Sequence, residues 1–161
     1  MAEVPAPIRS LSDYWHALAA GDAPERSRVD LVPIRALLPY LLLVELEDAP
    51  FRVRYRLTGT KVDEMTGMNI TGRYLDEFAH GIYRDVIQGI QRCYETCRGT
   101  GKPVVDLYHW PSEGGLIRPT WMGLFPLRLG GQIRQCLAIE DYAPLGPQPE
   151  PIDWRVALDP K

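Results

Sequence analysis

From Phe51 to Leu57 the chain alternates without a break, with Arg52, Arg54 and Arg56 on one side and Val53, Tyr55 and Leu57 on the other. A period of two is that of a strand with one wet face and one buried face. A second strand-like run, LLLVELED, precedes it across Ala49 and Pro50. A loop of two or four residues gives the same register, opposing Glu47 to Arg52, Glu45 to Arg54 and Leu43 to Arg56. The other face then joins Leu42, Val44 and Leu46 to Val53, Tyr55 and Leu57. An odd loop would set the glutamates against Val53 and Tyr55 and destroy this segregation. The pattern therefore predicts a hairpin whose arginines form the outer face of a sheet rather than an anion site.

Elsewhere the period changes. Leu11, Tyr14, Trp15 and Leu18 recur at three- and four-residue spacing before Gly21, which predicts an N-terminal amphipathic helix with an aromatic stripe. VPIRALLPY reads as a short helix begun at Pro33 and stopped near Pro39. Short helical pieces are expected around Val62 to Thr66 and Tyr74 to Phe78. A longer helix follows, with Tyr83, Val86, Ile87, Ile90, Tyr94 and Cys97 as its buried stripe and a glycine stop near Gly99. Three strand-like runs close the domain: VVDLYHW, RPTWMGLFPLRL and QIRQCLAIEDY. Gly130 and Gly131 join the last two as a hairpin. If that pair is the whole loop, Leu124 faces Leu137 and Met122 faces Ile139. Trp121, Phe125, Cys136 and Glu140 then share the opposite, mixed side.

Two strands, a helical excursion and an antiparallel meander predict an α+β domain with one sheet. Three regions follow: a helical N-terminal cap over 1–40, a core over 41–143 and a proline-rich tail over 144–161. A length of 161 residues suits one such core. The 45% apolar and 24% charged fractions are those of an ordinary globular chain. A net charge of -3 argues against nucleic-acid binding. No apolar run approaches the roughly 20 residues needed to span a bilayer, and the N-terminus lacks the pattern of a signal peptide, so a cytoplasmic protein is expected. Three cysteines do not make a disulfide framework. Cys93 and Cys97, four apart on a helix, read as core residues rather than half of a metal site, for no second pair stands at zinc spacing.

The series IRALLPYLLLVE, FRVRYRLTGTKV, TGMNITGRYL and PLRLGGQI resembles bacterial proteins that consist of little more than a PAS domain. The resemblance runs from about Leu11 to Tyr142 and is most specific at RYRLTGT followed by Gly67, Thr71, Gly72, Arg73 and Leu75. It implies a PAS-like five-stranded antiparallel sheet with helices on one face and the N-terminal helix as an addition. It also implies sensing or partner binding, not catalysis. PAS relatives of the light-oxygen-voltage (LOV) type place a photoreactive cysteine in a GRNCRFLQ-like motif. The nearest match here, NITGRYLDEF, has none, and the long helix carries no histidine to ligate haem. Neither flavin nor haem is expected, nor any other cofactor or metal.

A pocket for a small apolar molecule would use Val44, Tyr55, Leu57, Met65, Phe78, Tyr83, Ile87, Met122, Leu124, Leu137 and Ile139, the same residues that a filled core would use. Two methionines and two tyrosines would suit an adaptable pocket with hydroxyl handles. Tyr14, Trp15 and Leu18 could cover a sheet face or form a dimer contact; pairing of PAS-like domains through such helices favours a homodimer. No hydrolase, phosphate-loop or zinc-protease motif is present. GTGKP lacks the phosphate-loop spacing. The expected protein is thus a PAS-like sensory domain that binds a small ligand, a signalling partner protein or both, without an output domain of its own. Two alternatives stay open. One is a small cone-shaped α+β enzyme acting on an apolar metabolite through Tyr55 with Asp106 or His109. The other is a pure assembly module.

Overall fold

The computed structural model describes residues 3–111 and 117–141. The expected proline-rich tail lies outside the described residues. Helix α1 (Ala6–Ala19) begins behind Pro5 and ends where Ala20 and Gly21 turn to positive φ. Short 3-10 helices at Arg26–Arg28 and Val32–Tyr40 lead into β1 (Leu41–Glu47) and β2 (Arg52–Thr58). After α2 (Thr60–Thr66) come 3-10 turns at Leu75–Phe78 and Gly81–Tyr83, and then α3 (Arg84–Thr100). Strands β3 (Val104–Pro111), β4 (Ile117–Leu129) and β5 (Gln132–Asp141) complete one antiparallel sheet of five strands, ordered β2-β1-β5-β4-β3.

Two apolar layers hold the sheet, because its central strands are buried on both sides. On the inner face, Leu42, Val44, Val53, Tyr55, Met122, Leu124 and Ala138 meet Val62, Phe78, Ile87, Ile90 and Tyr94 from the helices. On the outer face, Leu41, Phe125, Leu127, Leu137 and Ile139 meet Ile8, Leu11, Trp15 and Ala19 of α1. The Trp15 indole donates to the Pro126 carbonyl at 2.8 Å. Where α1 crosses β4, a Cβ on Gly123 would lie 2.9 Å from Phe125 and 3.1 Å from Ile8, so the close approach of helix to sheet requires glycine there.

Two bulges correct the expected registers. Glu47 opposes Arg52 and Glu45 opposes Arg54 as expected, across the four-residue loop 48–51. The ladder then slips at Leu43/Val44, so that Leu43 pairs with Leu57 instead of Arg56. The extra residue, Arg56, turns Leu57 to the outer face, where it is 57% exposed. Likewise Gly130 and Gly131 are the whole β4–β5 loop, but a slip at Leu127/Arg128 leaves Arg134 without an opposite. Beyond it Leu124 pairs with Ala138 and Met122 with Glu140. Leu137 and Ile139 therefore join Phe125 on the outer face, while Cys136 and Glu140 turn inward. A one-residue slip reverses every side chain beyond it.

The arginine row resolves into separate partnerships. Arg52 reaches not Glu47 but Asp76, through two bonds of 2.7 Å, and its guanidinium lies 3.6 Å above the Tyr74 ring. Tyr74 donates its hydroxyl to Glu47 at 2.9 Å. Glu45 serves both Arg54, at 3.9 Å, and Arg56, at 3.4 Å. The TGR motif explains how Tyr74 arrives there. Gly72, with φ of +86°, turns the chain back along the exposed edge of β2. Gly72 then donates to the Tyr55 carbonyl at 2.7 Å, and Tyr55 donates to the Arg73 carbonyl at 2.9 Å. The edge is thereby closed to other strands.

Tyr55→Ala is expected to cost about 3 kcal/mol or more, on the scale of large-to-small changes in a packed core. Arg54→Ala is expected to cost under about 1 kcal/mol, because a half-exposed pair at this separation contributes little. Urea melts that gave equal losses would overturn the assignment of the two faces.

Candidate functional site

Helix α3 presents two adjacent stripes. Ile87, Ile90, Tyr94 and Cys97, at three- and four-residue spacing, enter the core. One position round, Asp85, Val86, Gly89, Arg92, Cys93 and Thr96 face the edge strand β3. That strand turns Val104, Asp106 and Tyr108 towards the helix, each two residues from the next. Between the two walls lies a groove of about 530 Å³, floored by the buried Ile90 and Met122. Gly89 keeps one wall low, since a Cβ added there would meet only the Arg92 guanidinium, at 3.8 Å. His109 sits at the exposed rim.

Polar groups converge beneath this floor. Glu140 on β5 is 7% exposed, a position that leaves a carboxyl dependent on hydrogen bonds. Tyr108, from the groove wall, donates its hydroxyl to it. Tyr55 and Tyr94 share the same interior, 2% and 3% exposed. Burial, and then the nearby Glu140 carboxylate, push the Tyr55 and Tyr108 hydroxyls well above the usual phenol range. Burial, and then Tyr55, do the same to Tyr94. All three thus remain hydrogen-bond donors across ordinary pH. On the groove wall, Asp106 accepts from the Leu107 amide at 2.8 Å and faces the Cys93 thiol at 3.6 Å. Burial, and then the charge of Asp106, raise Cys93 from its ordinary 9.0 to about 11.

Seven of the eleven expected pocket residues meet in the inner layer: Val44, Tyr55, Phe78, Tyr83, Ile87, Met122 and Leu124. They are packed against one another, Tyr83 stacking on Trp110 with ring centres 5.3 Å apart. The other four are elsewhere. Leu57, Leu137 and Ile139 are outward, through the two bulges. Met65 is half-buried outside both layers, because Val62 and Thr66 set the inward face of α2. Of the residues considered for an interface, Trp15 is buried against the sheet. Tyr14 bonds Asp30, accepting from its amide at 2.8 Å, and Leu18 is half-buried. Trp15 is therefore committed within the chain. The groove itself was missed, Glu140 above all, because the expected register pointed it outward. The two-residue period of a strand over VVDLYHW was the available signal for Asp106 and Tyr108 sharing one face.

A family model described as a PAS domain matches residues 4–104, a stretch that includes α1. The chain belongs to the PAS domain family. No curated protein matches it closely. Among solved structures this PAS domain is similar to the LOV protein of Rhodobacter sphaeroides, at 15% identity over 70% of this chain and 66% of that one, with a TM-score of 0.51. It is also similar to Vibrio cholera VqmA, solved with ligand and DNA, at 17% identity over 71% of this chain and a TM-score of 0.50. The chain spans 51% of the VqmA chain. A LOV domain studied with a flavin analogue matches at 14% identity, over 71% of this chain and 84% of that one, with a TM-score of 0.49.

Flavin is not expected from the sequence, and neighbours of this identity show the shared fold alone. The residues themselves do not fit that cofactor. Phe78, Ile87, Met122, Leu124 and Trp110 are at most 2% exposed and fill the space between α3 and the sheet. None of the three thiols lies within the NITGRYLDEF stretch: Cys97 and Cys136 face each other in the core at 4.0 Å, and Cys93 lines the groove.

Two outcomes follow from the displaced titrations. Above about pH 10 the tyrosines of an unfolded chain lose protons while Tyr55, Tyr94 and Tyr108 keep theirs, so the unfolded state binds fewer protons and stability falls as pH rises. Urea melts against pH should show this loss, with a shallower slope in Tyr108→Phe. Cys93, raised to about 11, should react with iodoacetamide about a hundredfold more slowly than a free cysteine near pH 8. Asp106→Asn should speed that reaction, and an unperturbed rate in the parent protein would contradict the assignment.

Proposed function

We propose that this PAS domain is a sensory module that binds a small molecule in the groove between α3 and β3. The observation that carries this reading is an open groove of about 530 Å³ with an apolar floor. Hydroxyl and carboxyl groups converge on it, and its volume is within the range of small-ligand sites. A closed core beneath supports it, because the scaffold is rigid where the groove is not filled. The VqmA structure, which holds a ligand, supports a binding role only through the shared fold.

The same geometry supports a route for the signal to a partner protein. Strand β3 forms one groove wall and pairs along its length with β4, whose outer face packs against α1. A ligand that shifts β3 acts on β4 and, through the tight contact at Gly123, on α1. The N-terminal helix is thus the surface whose position would report occupancy.

The test is thermal melting of the full chain against a library of small metabolites, with hits verified by native mass spectrometry. A ligand at a hundredfold excess over its Kd stabilises by about 2.7 kcal/mol, which raises the melting temperature by roughly 5–10 °C in a chain of this size. Gly89→Trp should fill the groove and abolish the rise while melting within a few degrees of the parent, since its side chain enters open space. A hit that stabilises Gly89→Trp equally would place the site elsewhere and overturn this reading.

A further inference from the structure

We infer that the ligand class of this groove is a small amphiphile with one cationic head, a primary amine or amidinium on an apolar body. The inference rests on the groove being the binding site and adds the charge of what it holds. Asp106 occupies the middle of the β3 wall, with Val104 two residues to one side and Tyr108 two to the other. Asp85 stands on the opposite wall, in the first turn of α3. Neither carboxylate belongs to an ion pair among the described residues, whereas most acids on the β1–β2 side do. The groups that touch Asp106 are neutral: one backbone amide at 2.8 Å and one thiol at 3.6 Å. Asp106 is exposed and forms no ion pair among the described residues, so its carboxylate stays available at the groove surface.

Among the described residues, Arg92 is the one arginine or lysine on the groove. It stands at the boundary with a second, smaller depression that contains Asp76 and Glu95, so acids flank it from the other side as well. Asp85 and Arg92 are seven residues apart, about 10 Å along the helix, which separates Arg92 from the carboxylate nearer the Tyr108 end. An entering carboxylate would meet Asp106 at the centre of the wall with Glu140 behind the floor. An entering ammonium would find Asp106 already oriented by its amide bond, Asp85 across the groove, and Val86, Ile90 and Met122 for its apolar body. Charge complementarity therefore selects the cation, and the low wall at Gly89 leaves room for the body.

The experiment is titration of the full-length protein at neutral pH and low salt with n-octylammonium, n-octanol and n-octanoate, followed by calorimetry and by amide NMR shifts. Octylammonium should bind about tenfold or more tightly than octanol, with octanoate weakest, and should shift amides of α3 and β3. Asp106→Asn should bring octylammonium to the level of octanol and leave octanol unchanged; Asp106 is exposed, so the variant should melt with the parent. Octanoate binding as tightly as octylammonium would overturn the cationic class, as would indifference of octylammonium to Asp106→Asn or its failure to bind at millimolar concentration. If in these cases Gly89→Trp still removes the binding of octanol or of a library hit, the groove stands as the site. Probe binding unchanged in Gly89→Trp would overturn the groove and the class together.

Discussion

Leu137, Ile139 and Phe125 project from one face of the sheet, while Ala138, Leu124 and Met122 project from the other. Neither face of β4 and β5 can be left to water, so two separate layers must cover them. Burial of each large aliphatic or aromatic side chain contributes about 1.5–3 kcal/mol, and here that stabilisation is available only if α1 and α3 both dock. The place of α1 is therefore dictated by the sheet. Trp15, bonded to Pro126 and packed beside Phe125, is its anchor, and Gly123 is the point where helix and sheet come closest.

The same double burial explains why one extra residue in β5 has consequences so far along the chain. Arg134 bulges out, and every residue from Gln135 to Asp141 changes face. Apolar residues on either face remain buried, so the sheet tolerates the shift. What changes is the polar group: Glu140 enters the interior, where Tyr108 binds it and Tyr55 and Tyr94 lie close by. A polar cluster formed in this way is confined to the inner layer, under the groove that α3 and β3 leave open. The groove exists because β3 is the edge strand on that side. At the opposite edge, the TGR turn closes β2, and Arg52, clamped between Asp76 and the Tyr74 ring, holds that closure in place.

The proposed binding role depends on which surface is left incomplete. The core between α3 and the sheet is filled by side chains, which disfavours a buried planar cofactor and favours a ligand at the margin. In that proposal a ligand would act on α1 through β3 and β4. The site's chemistry would come from Asp85 and Asp106, which form no ion pair among the described residues, whereas Glu45, Asp48, Asp76 and Glu77 near the opposite edge do.

Alternation in FRVRYRL, the three- and four-residue spacing in α1 and α3, and the Gly-Gly turn were enough to determine the element order, the antiparallel sheet and most of its inner layer. Val44, Tyr55, Phe78, Ile87 and Leu124 were legible because period alone assigns a side chain to a face. The fates of Leu57, Leu137, Ile139 and Glu140 were not legible, because a bulge costs one unpaired residue and leaves no mark in a pattern of apolar residues on both faces. Arg52 was legible as a surface charge but not as the partner of Asp76, which lies 24 residues away and approaches only after Gly72 reverses the chain. The groove was decided by tertiary structure alone: it is the gap between an edge strand and a helix that meet only once the whole sheet has been assembled.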